Sequence, residues 1–254
     1  MSAPKQQTPG DASDYSPQSP SHGPDHAKVM AFSNPKALIA SDGAIDAELL
    51  SYSLSPATAE MVDAAAKDVS EFLDKEPSLG RRMYGKPAFQ RRNVKFFKKR
   101  GGRAHGYRYS GRLQPPCATT PDSLQALIEA VEAAFPPPFG KEVGVLVNEY
   151  NEKHYISQHS DDERGIHPGW VLTVSSGGRR NFVVKRKSTK ATVASADTSL
   201  HRALLMRGED FQSTYTHGVA KKIGVPRRTS FSFRYHETRI DPMGPMGPTK
   251  PPAN

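Results

Sequence analysis

Apolar residues recur along this chain first at helical and then at strand spacing. Ser55-Pro56 reads as an N-cap and first helical position, and Met61, Ala65, Val69 and Phe72 then return at helical intervals. After Thr120-Pro121, the residues Leu124, Leu127, Ile128, Val131 and Phe135 form a second stripe, stopped by Pro136, Pro137 and Pro138. Beyond Phe139 the texture changes. The segments VGVLVNEY (143–150), WVLTV (170–174), NFVV (181–184), ALLM (203–206) and TSFSFRY (229–235) alternate or are β-branched and aromatic, with Gly, Ser and Asp between them. Two helices leading into many short strands predict an α+β layout around a β-sandwich.

Composition sets the limits of that unit. Residues 1–35 hold six prolines and the stretch from Ile240 holds five more, half of the 22 in the chain. Residues 1–35 and 240–254 are therefore expected to be disordered tails around a folded unit at 36–239. No apolar run approaches the roughly 20 residues a membrane span needs, and MSAPKQQTPG has no signal-like stretch. The single Cys117 excludes an internal disulfide framework and fits a reducing, intracellular compartment.

Charge sharpens the picture because it is uneven. The net +9 conceals twelve Lys/Arg and no acid in residues 81–112, and six Lys/Arg and no acid in 179–190, which leaves −9 for the rest. Two basic segments on an otherwise acidic chain point to a polyanionic partner. A solvated charge run or a nuclear-import signal is the competing reading of KKRGGR (98–103).

The densest polar cluster is NEYNEKHYISQHSDDE, residues 148–163. In extended backbone, His159 and Asp161 would point the same way. With one distant histidine they would complete a two-His-one-carboxylate face for Fe(II). His167, His201, His217 and His236 all lie downstream, and His201 follows a loop-like ASADTSL. Alternation from 228 to 234 puts Arg228, Ser230, Ser232 and Arg234 on one strand face and Phe231 and Phe233 on the other. Two inward arginines are costly unless an anion neutralises them, as a dicarboxylate would through bidentate hydrogen bonds.

The ordered set Asn148/Tyr150, His159/Asp161/Glu163, His217 and Arg228–Arg234 resembles the AlkB family of Fe(II)- and 2-oxoglutarate-dependent dioxygenases. The resemblance runs from about Leu50 to Tyr235 and includes Tyr84-Gly85-Lys86 and Tyr107-Arg108-Tyr109-Ser110-Gly111. It implies a double-stranded β-helix (jelly-roll) core with flanking N-terminal helices and a nucleotide-recognition lid, whose basic region is 81–112. It implies His159, Asp161 and His217 as the catalytic iron ligands. Asn148, Tyr150, Arg228, Ser232 and Arg234 would hold 2-oxoglutarate, with O2 as the oxidant. The substrate would meet Tyr84, Gly85, Lys86, Tyr107, Tyr109, Ser110, Asp162 and Glu163. Tyr109 would stack on an extruded base, with Tyr107 nearby, and Glu163 would read its exocyclic amine. Arg91, Arg92, Lys98, Lys99, Arg100 and Arg103 would meet the nucleic-acid backbone. The implied activity is oxidative demethylation of N-alkylated bases in DNA or RNA by a monomer with no membrane association, in DNA repair by its nearest branch. Ser230 and Ser232 stand where that family commonly has Asn and Thr. The same oxygenase chemistry on a 5-methylpyrimidine, an RNA base or a protein is one competing reading. A non-catalytic nucleic-acid-binding module is the other.

Overall fold

Ser55 accepts the Thr58 backbone N–H at its Oγ (3.2 Å), so the expected cap starts helix α1 (Pro56–Lys75) where the Ser-Pro pair places it. Helix α2 (Asp122–Ala134) follows Pro121 and ends at Phe135, ahead of the three prolines. The computed structural model describes residues 30, 32–75, 81–83, 86–88, 92–104, 106–109, 112–163, 165–198 and 201–238; for 74, 75, 81–83, 86–88, 108, 109 and 112 it describes the backbone alone.

The strands, in chain order, are β1 (Phe32–Ile39), β2 (Glu48–Leu54), β3 (Arg81–Met83), β4 (Lys86–Ala88), β5 (Asn93–Lys98), β6 (Tyr107–Tyr109), β7 (Arg112–Gln114) and β8 (Lys141–Tyr150). They continue as β9 (Ile156–His159), β10 (Ile166–Gly177), β11 (Asn181–Arg186), β12 (Thr192–Asp197), β13 (Arg202–Arg207), β14 (Tyr215–Val219) and β15 (Arg228–Glu237). A short helix α3 (Phe211–Thr214) precedes β14.

Seven strands form a major sheet in the order β1-β2-β13-β10-β15-β8-β5, and four form a minor sheet in the order β12-β11-β14-β9. From β8 onward the chain crosses between the sheets at every step except the β11–β12 hairpin, which makes the eight-stranded core the expected double-stranded β-helix. Two small hairpins, β3–β4 and β6–β7, lie outside both sheets.

Alternation sorts the side chains. On β8, Val143, Val145 and Val147 join Phe231, Phe233 and Tyr235 of β15 in a cluster with Val62, Val69, Leu124, Leu127 and Ile128 of the helices. The helices therefore cover the outer face of the major sheet, which frees its inner face for chemistry. Between the sheets, Leu49, Val171, Phe182, Val184, Leu204 and Phe211 form a second apolar cluster.

The structure revises two expectations. β1 begins at Phe32, inside the segment read as tail; Phe32 packs edge-on against Tyr52 and Phe135 at 5.6 and 5.0 Å. ASADTSL is not simply a loop, because Ala194–Asp197 belong to β12, held at the minor-sheet edge by pairing with β11 alone. No helix among the described residues is long and apolar enough to cross a membrane.

Candidate active site

One antiparallel register and one side-chain hydrogen bond bring three candidate ligands together between the sheets. β14 pairs with β9 so that His217 lies directly opposite His159, and the imidazole centroids are 4.3 Å apart. β9 ends at His159, so Asp161 lies just beyond the strand, fixed by its backbone N–H donating to Gln212 Oε1 at 2.8 Å. Its carboxylate reaches both rings, with Oδ1 3.6 Å from His159 Nε2 and Oδ2 3.5 Å from His217 Nε2. One ligand atom from each residue falls within 4.8 Å of the others.

The donor set fits a metal. Two imidazoles and one carboxylate on one side leave further positions open, the arrangement that suits Fe(II) oxygen chemistry. Asp161 Oδ1 is buried without a hydrogen-bond partner, which a cation would satisfy. His159 Nδ1 contacts the Ser157 carbonyl at 2.9 Å, fixing the ring with Nε2 toward Asp161. Burial pushes the His217 imidazole down to about 4, aided by His159, so it is neutral and ligand-competent at pH 7. Burial pushes the Asp161 carboxyl up, but Arg234 and His217 overcome this and hold it well below the usual carboxylate range.

The alternation of β15 places Arg228, Ser230, Ser232 and Arg234 on the inner face as expected, but the two arginines differ. Arg234 Nη2 donates to Asp161 Oδ2 at 2.7 Å, so the protein itself neutralises it; the expectation that an exogenous dicarboxylate must serve both arginines is corrected. Ser232 Oγ is 3.4 Å from Thr173 Oγ1. Arg228 is 1% exposed, donates from Nη2 to Ser175 Oγ at 2.7 Å, and has no partner at Nε or Nη1. Burial lowers its guanidinium to about 10. Its Cζ lies 5.1 Å from the ring centre of Tyr150, the residue opposite it on β8. Arg228, Asn148, Tyr150 and the three candidate ligands line one pocket. A buried cation with two unused donors in such a pocket suits a small carboxylate.

On the other side, Tyr107 donates from its hydroxyl to Glu163 Oε1 at 2.9 Å, leaving Glu163 Oε2 buried and unpartnered. Burial and then Asp161 raise the Glu163 carboxyl. Tyr107 is itself buried, stacked 6.4 Å from Phe96 and 5.1 Å beneath the Arg234 guanidinium. It also lines the pocket. Asp162 is exposed. Lys86 and Tyr109 lie in β4 and β6, whereas Tyr84, Gly85, Ser110 and Arg91 lie outside the described residues.

The basic segments need the largest correction. Arg92 is 5% exposed, lines the pocket and donates from Nε to Asn148 Oδ1 at 2.7 Å, so it does not face a polyanion. Lys98 donates to the Gly102 carbonyl, Lys99 pairs with Glu132 at 2.6 Å, and Arg100 binds the Thr120 carbonyl and Asp122. Arg103 remains exposed. In the second segment Arg180 is fully buried, holding the Asn151 and His154 carbonyls, and Arg179 pairs with Asp197 at 2.9 Å. A linear charge count cannot show which cations turn inward. Gln212, which fixes Asp161, had no sequence signal at all.

Comparison with known proteins adds to this geometry. A family model described as the 2OG-Fe(II) oxygenase superfamily matches residues 49–240. The chain is similar to the solved structure of OsALKBH1, with 18% identity over 68% of this chain and 91% of that one, at a TM-score of 0.41. A search of curated proteins finds no match.

Proposed function

The chain belongs to the 2OG-Fe(II) oxygenase superfamily, and from that premise we propose that it oxidatively removes alkyl groups from N-alkylated nucleic-acid bases of the 1-methyladenine and 3-methylcytosine type. It is a 2-oxoglutarate-dependent dioxygenase, using Fe(II), 2-oxoglutarate and O2. In this reading His159, Asp161 and His217 hold the iron. Arg228 grips the distal carboxylate of 2-oxoglutarate with its two unused N–H groups, while Asn148 and Tyr150 orient it.

The observation that carries the substrate class is Glu163 Oε2, a buried, unpartnered acceptor close enough to the cluster for Asp161 to raise its carboxyl. Alkylation of a ring nitrogen such as N1 of adenine or N3 of cytosine makes the base cationic and leaves its exocyclic amine as a donor. A carboxylate oxygen answers both properties, whereas a neutral, unmodified base offers the amine alone. Tyr107 holds the other oxygen, so the free one keeps a fixed direction.

Iron, 2-oxoglutarate and oxygen together supply the oxidation, in which 2-oxoglutarate becomes succinate and carbon dioxide while one oxygen atom enters the N-methyl C–H bond. The N-hydroxymethyl base then breaks its N–C bond and releases formaldehyde. The chain's own part is orientation. A base inside a duplex cannot reach the space between two sheets, so the substrate is single-stranded or flipped out. Stacking on an aromatic such as Tyr109 would return about 1–3 kcal/mol per base, comparable to the cost of flipping. The exposed Arg103 and Lys190, with the half-buried Lys185, remain to meet phosphates.

The test is stoichiometry. Incubating the full chain with Fe(II), 2-oxoglutarate, oxygen and an oligonucleotide carrying 1-methyladenine should give succinate and formaldehyde in equal amounts. Succinate without formaldehyde from any N-methylated base would overturn the substrate class and leave the oxygenase in place.

A further inference from the structure

Arg92 belongs to the most basic stretch of the chain, yet it is 5% exposed and lines the pocket. Its Nε donates to Asn148 Oδ1 at 2.7 Å, across the β5–β8 edge, where Val94 pairs with Asn148. A guanidinium has only N–H donors and accepts nothing, so the atom it meets can only be the amide oxygen. This fixes which way the Asn148 amide is turned: its oxygen is taken by Arg92 and its Nδ2 is left over. No hydrogen bond among the described residues engages that Nδ2, although Asn148 is 4% exposed. Without Arg92 the amide could rotate by half a turn and present an acceptor oxygen to the pocket, which would repel a carboxylate.

We propose that Arg92 is a positioning residue for co-substrate binding: by holding Asn148 Oδ1 it turns the Asn148 amide N–H groups toward the carboxylates of 2-oxoglutarate. The inference rests on the reading of Asn148 as a co-substrate contact. Arg92 complements the pocket's donor set, which Arg228 and the Tyr150 hydroxyl share, by converting an amide that can face either way into one that only donates. Arg92 acts through Asn148 and does not reach the reacting atoms.

The test is a double-mutant cycle read by calorimetric titration of 2-oxoglutarate into the Mn(II)-loaded full chain, so that binding is measured without turnover. Arg92→Met should weaken binding about tenfold, the size expected for one hydrogen bond to a charged group. Asn148→Ala should weaken it by a similar factor. In the Asn148→Ala background, Arg92→Met should have no further effect, because the group it acts through is gone. Arg92→Lys, which keeps a donor within reach of Oδ1, should restore most of the affinity, and thermal melting checks that each variant folds. Effects that multiply in the double variant would overturn the proposal by showing that Arg92 meets the ligand directly. Weakened binding in Asn148→Ala with unchanged binding in Arg92→Met would overturn it as well. Unchanged affinity in Asn148→Ala would instead remove the co-substrate reading of Asn148, and this inference with it.

Discussion

Replacing Arg228 with methionine should move two measurable quantities in opposite directions. The guanidinium is 1% exposed, donates to Ser175 Oγ beside the Tyr150 ring, and meets no carboxylate among the described residues. Burial lowers it to about 10, a displacement worth about 3 kcal/mol against the charged form in the ligand-free protein. Methionine relieves that cost and forfeits one charged hydrogen bond of about 2 kcal/mol, for a net gain of about 1 kcal/mol. In a folded unit of this size the gain raises the melting temperature by about 3 °C. Binding should respond the other way. A buried 2-oxoglutarate carboxylate stripped of its bidentate partner loses about 3–5 kcal/mol, at least a hundredfold in affinity. The assay is thermal melting of the metal-free chain, paired with calorimetric titration of 2-oxoglutarate into the Mn(II)-loaded chain. Added 2-oxoglutarate should then stabilise the wild type and leave the variant unmoved. A variant that melts lower without ligand and keeps its affinity within threefold would refute the reasoning, because Arg228 would then be a structural cation and not a carboxylate site.

Three further outcomes follow from the same geometry. His159→Ala removes one of the three ligands and should lower metal affinity by more than the 10–100-fold typical of losing an outer-shell partner, with succinate production at background; equilibrium dialysis of Mn(II) and succinate quantification check this. Burial, and then Arg234, push the His236 imidazole down to about 3, so its contribution to stability is complete above the unfolded value near 6.5 and is lost as pH falls toward 3. Between pH 7 and 4.5 the wild type should lose about 2–3 kcal/mol more than His236→Gln, and parallel urea titrations that show no difference would contradict the burial argument. Finally, changing Lys185 and Lys190 to alanine should reduce the slope of log affinity against log salt for duplex DNA by about 2, and an unchanged slope would take the β11–β12 hairpin out of the interface.

How far the sequence carried depends on how local each feature is. The β15 alternation could be read because period 2 alone decides which residues share a face, and Arg228 through Arg234 do share the inner one. His159 and Asp161 could be read as a pair, although the strand stops at His159 and the carboxylate is placed by Gln212, fifty-one positions away. Selecting His217 needed the family resemblance, because its position opposite His159 is a matter of register between strands far apart in the chain. The same limit hid Asp161 as the partner of Arg234, seventy-three residues distant. Arg92, read as a nucleic-acid backbone contact, and Arg180, counted only in a basic run, escaped for a different reason. Both sit in acid-free runs, and only the three-dimensional structure shows that their heads turn inward onto Asn148 Oδ1 and onto the carbonyls of Asn151 and His154. The edge strands β1 and β12 escaped because their small and polar residues carry little alternation, and their place depends on pairing with β2 and β11.

The central claim is the removal of an alkyl group from a base, and intact-mass analysis of the oligonucleotide tests it most directly. An oligonucleotide with a single 1-methyladenine or 3-methylcytosine is incubated with the full chain, Fe(II), 2-oxoglutarate and oxygen, beside an unmethylated control and the His159→Ala variant. The account predicts that the methylated strand loses the mass of one methyl group against hydrogen, that the control strand is unchanged, and that the variant does nothing. A methylated strand that keeps its mass while the wild-type chain turns 2-oxoglutarate into succinate would contradict the claim.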